Sequence, residues 1–163
     1  MIQITIIIIL FVVVLIGFTA MLKHTNRSKD YILIPKKIKL SELKSQLTKL
    51  KNRDTAYPFI GITSNGTDCI YFTYKNGSFN IEFEAILENQ VPYIDKLKGY
   101  ANSQNINTQE TTYNNQPKYK SEKPAIVLRI EANSDIDKIA KIGEAIQLQV
   151  FENNQETLYE VVS

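Results

Sequence analysis

Glu82 and Glu84 stand two residues apart in the run Phe79–Ile86, where apolar and polar side chains alternate as in a β-strand. Successive strand side chains point to opposite faces, so both carboxylates share one face. Such a pair is equipped to act as general acid and base, or to hold a divalent cation. A sheet face turned to water carries the same pattern. Asp135 and Asp137 suit favourable charge at a helix N-terminus better than a metal site.

The nucleophile candidates are sparse. Cys69, the single cysteine, excludes an intramolecular disulfide and a multi-cysteine metal site within one chain. A reactive thiol needs an electropositive neighbour, and the local sequence supplies none. His24, the single histidine, follows a long apolar run, far in sequence from the expected strands, and reads as a membrane-interface residue. The glycines form no phosphate-binding loop. No catalytic, cofactor-binding or metal residue is therefore assigned, and no cofactor is expected.

Aromatic residues point instead to recognition. Nine tyrosines and seven phenylalanines occur without a tryptophan, and Tyr71, Tyr74, Tyr93, Tyr100, Tyr113 and Tyr119 cluster around the expected meander and the long loop that follows it. Tyrosine suits binding surfaces because it joins apolar area to a polar tip, although strands also favour it. Glu82, Glu84, Tyr71, Tyr113 and Tyr119 are the candidate partner-binding residues. Lys118-Tyr119-Lys120 is too short to argue for RNA, and no nucleic-acid partner is expected.

Residues Ile2 to Leu22 are almost wholly apolar and carry no charge. About twenty helical residues at about 1.5 Å each match a bilayer core about 30 Å thick. Nothing basic precedes the run, and Phe18 stands where a signal-peptide cleavage site wants a small residue, so an uncleaved anchor is expected. Lys23, Arg27, Lys29, Lys36, Lys37 and Lys39 follow it. The positive-inside rule then places the N-terminus outside and the rest in the cytoplasm; the reverse puts the domain in the periplasm or exterior. Lys23, Arg27, Lys36, Lys37 and Lys39 are candidates to touch anionic lipid headgroups.

The net charge of +2 hides a division. Residues 1–53 hold ten basic and two acidic groups, and residues 54–163 hold nine basic and fifteen acidic ones, local charges of +8 and −6. An acidic distal part repels phosphate backbones and favours a basic protein partner. The abundance of Asn, Ile and Lys suggests an AT-rich, bacterial genome.

The chain divides into an anchor (1–22), a basic juxtamembrane linker (23–40) and one soluble domain (41–163) with a flexible loop over 102–123. Ser41 is a good N-cap for a helix to Lys51, with Leu40, Leu43, Leu47 and Leu50 on one stripe. Phe59–Thr63, Cys69–Tyr74 and Phe79–Ile86 form a meander, turned at Asn65-Gly66 and Asn76-Gly77 as type I′ pairs. A second helix runs from Val91 to Ala101, with Pro92 in its first turn. The stretch 102–123 is long for a loop and leaves room for an edge strand at Thr108–Tyr113. Ala125–Ile130 is a buried-type strand. Ser134 and Asp137 resemble a capping box for a third helix carrying Ile136, Ile139, Ile142 and Ile146 inward. That helix continues to Val150, in competition with a hairpin through Asn153-Asn154, and Thr157–Val162 is the last strand.

The order α-βββ-α-β-α-β describes an α+β two-layer sandwich with a mainly antiparallel sheet. The layout is similar to small anchored proteins that couple to proton channels, but those carry an acidic residue in the anchor and this anchor has none. The expected function is a membrane-anchored, non-enzymatic protein-interaction module, either a small subunit of a membrane complex or a toxin-immunity-type inhibitor. The alternative is a hydrolase or transferase using the paired strand carboxylates.

Overall fold

The computed structural model describes residues 36–113, 125–132 and 134–162. The expected anchor, its flank through residue 35 and Tyr119 lie outside these residues. No helix among the described residues is long and apolar enough to cross a membrane.

The domain is α+β, as the alternation and helical stripes predict. Its strands are β1 (Lys36–Ile38), β2 (Phe59–Thr63), β3 (Ile70–Lys75), β4 (Ser78–Ala85), β5 (Thr108–Tyr113), β6 (Ala125–Glu131) and β7 (Tyr159–Val162). Its helices are α1 (Leu43–Asn52), α2 (Val91–Ser103) and α3 (Ile136–Ala145). The sheet order is β1-β7-β2-β3-β4-β6-β5, and every neighbouring pair is antiparallel.

One face of the sheet carries the core. Ile60, Ile62, Ile70, Phe72, Phe79, Ile81, Phe83, Leu128 and Ile130 are buried beneath Leu43, Leu47 and Leu50 of α1, Ile94, Leu97 and Ala101 of α2, and Ile139 and Ile142 of α3. Helix α1 packs on β2 and β3, α2 on β4 and β6, and α3 beside α1. Close approach of α3 depends on Gly143. A Cβ there would meet Phe72 Cζ at 2.6 Å and Leu43 Cδ2 at 3.0 Å.

Several details differ from the sequence reading, each for a local reason. Lys36–Ile38, expected within the linker, is a strand paired to β7, with Ile38 fully buried. Three residues are too few to display a period. Ser41 is not an N-cap: the Lys39 N–H donates to Glu42 Oε2 (3.1 Å), and a 3₁₀ turn over Leu40–Glu42 leads into α1. At α3 the cap is Asp135, whose carboxylate accepts from the Asp137 N–H at 2.9 Å, in place of Ser134. In the polar stretch, Thr108–Tyr113 takes the edge-strand option.

Of the two Asn-Gly pairs, only Asn76-Gly77 is the tight turn, with φ of 54° and 81°. At Asn65-Gly66 only Gly66 has positive φ. The Asn65 side chain instead accepts from the Thr67 and Asp68 N–H groups, so residues 64–69 form a longer loop. The third helix does continue to Val150, through a π turn over Ile146–Val150 closed by the Phe151 N–H donating to Ile146 O at 3.2 Å.

Candidate functional site

The face of the sheet opposite the helices follows from the same alternation. Asn80, Glu82 and Glu84 of β4 are half-buried there, between Tyr71 and Thr73 of β3 and Val127 and Arg129 of β6. The register sets Tyr71, Glu82 and Arg129 in one row, with Gln109 of β5 beyond them. Phe59 adds an aromatic edge, its ring 5.7 Å from that of Tyr71 at 83°. No described helix packs on this face.

Arg129 is the feature that the sequence alone could not place. Its Nε and Nη2 both reach Glu82 Oε1 at 2.9 Å. A cross-strand partner 47 residues away becomes visible only once strand order and register are known. Glu82 is thus a half of an ion pair, and Glu84 also has a partner. Burial pushes the Cys69 thiol up; contact with Tyr71 opposes the shift, and the charges of Asp68 and Glu84 add to it. A thiol so placed stays protonated and is a poor nucleophile.

Three of the clefts among the described residues, of about 570, 410 and 280 Å³, lie away from the two carboxylates. The largest is bounded by the end of α1, the loop before β2 and the β3–β4 turn. Among the other expected contact residues, Tyr113 ends β5. Lys36 and Lys37 lie on edge strand β1, with Lys37 3.9 Å from Glu160. Lys39 pairs with Glu156 at 2.5 Å.

A second polar constellation is buried and escaped the sequence reading. Asp68, 1% exposed, accepts from Thr63 Oγ1 (2.7 Å), the Ser64 N–H (2.9 Å), Ser64 Oγ (2.6 Å) and Asn153 Nδ2 (2.7 Å). Gln147 Nε2 donates to the Asp68 carbonyl at 3.0 Å, and Gln147 Oε1 accepts from Asn153 at 2.9 Å. Gln90 ties the same loop to the start of α2, donating to Gly66 O (3.2 Å) while accepting from the Ile86 and Leu87 N–H groups. Burial alone would raise the Asp68 carboxyl, but the donors from Ser64, Thr63 and Asn153 hold it below its ordinary value. The network locks a loop against the π turn, which is structural work. The run of Thr, Ser, Asn and Asp at 63–68 was the available signal.

Beside this network, the Tyr159 hydroxyl is fully buried and has no hydrogen-bond partner among the described residues. Burial, with the nearby Asp68 charge, pushes it up to about 12, opposed by the Asn153 and Thr157 side chains, which lie close to the hydroxyl but outside good hydrogen-bond geometry. An unsatisfied buried hydroxyl costs about 1–3 kcal/mol. Tyr159→Phe should therefore raise stability by about 1 kcal/mol, read as a higher urea midpoint at unchanged slope. A lower midpoint would mean that the hydroxyl is satisfied in solution.

No family model, curated protein or solved structure matches this chain.

Proposed function

We propose that this chain is a membrane-anchored, non-enzymatic module that binds another protein through the helix-free face of its sheet. Ile2–Leu22 is the anchor, and the basic residues after it set the domain on the cytoplasmic side. Lys23, Arg27 and Lys36 are the headgroup contacts this reading retains, since Lys37 and Lys39 have acidic neighbours. Two roles fit: a small subunit of a membrane complex, or an immunity-type inhibitor of a basic toxin.

The observation that carries the reading is the row Tyr71–Glu82–Arg129 with Glu84 and Phe59 beside it, aromatic and charged side chains, half-buried except for Arg129, on a face that no described helix covers. Aromatic residues and arginine are enriched at interfaces, while charge complementarity guides association. Acid–base chemistry at Glu82 and Glu84 would want a cleft beside them, and the three clefts described lie elsewhere.

The test is photo-crosslinking of the full chain in its own membrane, with the reactive residue at Thr73 on the open face or at Lys138 on α3. An adduct from Thr73 alone, lost when Glu82 and Glu84 are both changed to lysine, is the expected result. In intact cells, external protease should leave the domain uncut. The double change should cost about 1–3 kcal/mol, because it breaks the pair of half-buried Glu82 with Arg129 and sets a lysine opposite Arg129, so folding of the variant is checked by its urea midpoint. Adducts from Lys138 alone, or a Thr73 adduct indifferent to charge reversal, would move the binding surface away from this face.

A further inference from the structure

The cleft of about 570 Å³ at the end of α1 is large enough for a small ligand, and its lining has a definite chemistry. Arg53 and Lys75 line it together with Tyr57 and Tyr74, over Leu50 and Pro58. No carboxylate is among its lining residues. Neither cation has an acidic partner among the described residues, whereas Lys37, Lys39, Lys44, Lys96, Lys98 and Arg129 each have one. Lys49 and Lys51, in the last turn of α1, are likewise without one. The cleft is thus positive where the basic first part of the chain, ending at Arg53, meets the β3–β4 turn that carries Lys75.

The backbone supplies a second, independent observation. Helix α1 ends in a Schellman motif: the Asp54 N–H bonds Lys49 O at 2.9 Å, and the Arg53 N–H bonds Leu50 O at 3.1 Å. The residue at the left-handed position of that motif is Arg53, with φ of 63°. Glycine is the usual occupant because a Cβ is unfavourable there. The fold therefore tolerates a less favourable residue at the one position where the motif prefers glycine, and that residue's side chain lines the cleft. Strained positions of this kind cluster at functional sites.

We infer that the Arg53–Lys75 cleft binds a phosphate monoester carried on an apolar or aromatic body. A monoester carries about −1.5 to −2 at neutral pH, matching the two cations. Arginine presents a fork to the phosphate oxygens and lysine a point charge. Tyr57, stacked on Phe59 through one face, and Tyr74, packed against Phe79, line the cleft as aromatic surface for the body, and Leu50 and Pro58 add apolar area. The site is distinct from the open sheet face and does not rest on the interaction reading.

The group has two natural sources, a soluble ester or a lipid headgroup, and titration calorimetry on the full chain in neutral detergent separates them. The soluble probe is phenyl phosphate, beside inorganic phosphate and phenol; the lipid probe is phosphatidic acid, beside phosphatidylcholine. Saturable binding of phenyl phosphate, tighter than either fragment, identifies a soluble ester. Binding of phosphatidic acid but not phosphatidylcholine or phenyl phosphate identifies a headgroup. In either case Arg53→Gly should weaken binding by about tenfold or more while the melting temperature stays the same or rises. Lys75→Gln, an exposed change at a strand end, should weaken it as well without loss of fold. Failure of both monoesters to saturate, or full binding by Arg53→Gly and Lys75→Gln, would overturn the assignment.

Discussion

Replacing Phe83 with alanine should cost about 3–5 kcal/mol of stability, the range for truncating a fully buried aromatic ring. Phe83 is 1% exposed and stands at the centre of an aromatic group. Its ring is 5.6 Å from that of Phe151 and 6.5 Å from that of Tyr93, and those two rings are 4.9 Å apart. The ring therefore joins the sheet to α2 and to the segment after the π turn, and its removal opens a cavity touching all three. Urea unfolding of the full chain checks this through the midpoint at constant slope. Phe83→Leu, which keeps much of the volume, should lose markedly less. A loss below about 1 kcal/mol for the alanine variant would mean that the helices do not cover this strand.

Asp68→Ala should cost about 3 kcal/mol, because it strands several buried donors at once. Asp68→Asn keeps the shape but gives up charge-assisted acceptance, and should cost about 1.5–2 kcal/mol at pH 7. The pH dependence follows from the depressed folded-state value. A carboxyl lowered on folding contributes stability above its unfolded pKa of about 3.9 and loses it as pH falls through the lowered value. The gap between wild type and Asp68→Asn should thus be constant from neutrality to about pH 5 and narrow below about pH 4. Urea midpoints for both proteins at pH 7, 4 and 3 decide the matter. A gap that persists at low pH would show that Asp68 acts by shape rather than by charge.

The meander was legible because its signals are local. Alternation in Phe79–Ile86 assigned Ile81 and Phe83 to the core and Glu82 and Glu84 to the other face, and all four lie so. The stripe Leu40, Leu43, Leu47 and Leu50 was equally readable, as was the turn at Asn76-Gly77. What escaped depends on residues far apart in sequence. β1 exists because β7 returns to it, and Arg129 meets Glu82 because β6 lies beside β4. The Asp68 network draws Gln147 and Asn153 from 79 and 85 residues away. Polar groups have no periodicity that reveals such a meeting. The Arg53 cleft was hidden for another reason: sequence gives residue type, whereas the telling fact is a left-handed φ on a residue with a Cβ.

The place of β7 in the sheet governs the order in which the domain can be assembled. β2, β3 and β4 join through short links, so their closure is fast. β7 enters between β1 and β2, and its pairing Lys36↔Val161 spans almost the whole described domain. Until it arrives, β1 has no neighbour and the outer edge of β2, with Ile60 and Ile62 beside it, is bare. An unpaired apolar edge is a template for pairing with another chain. The hazard to this protein therefore lies less in its finished edges, polar β5 and lysine-bearing β1, than in the interval before its last strand docks.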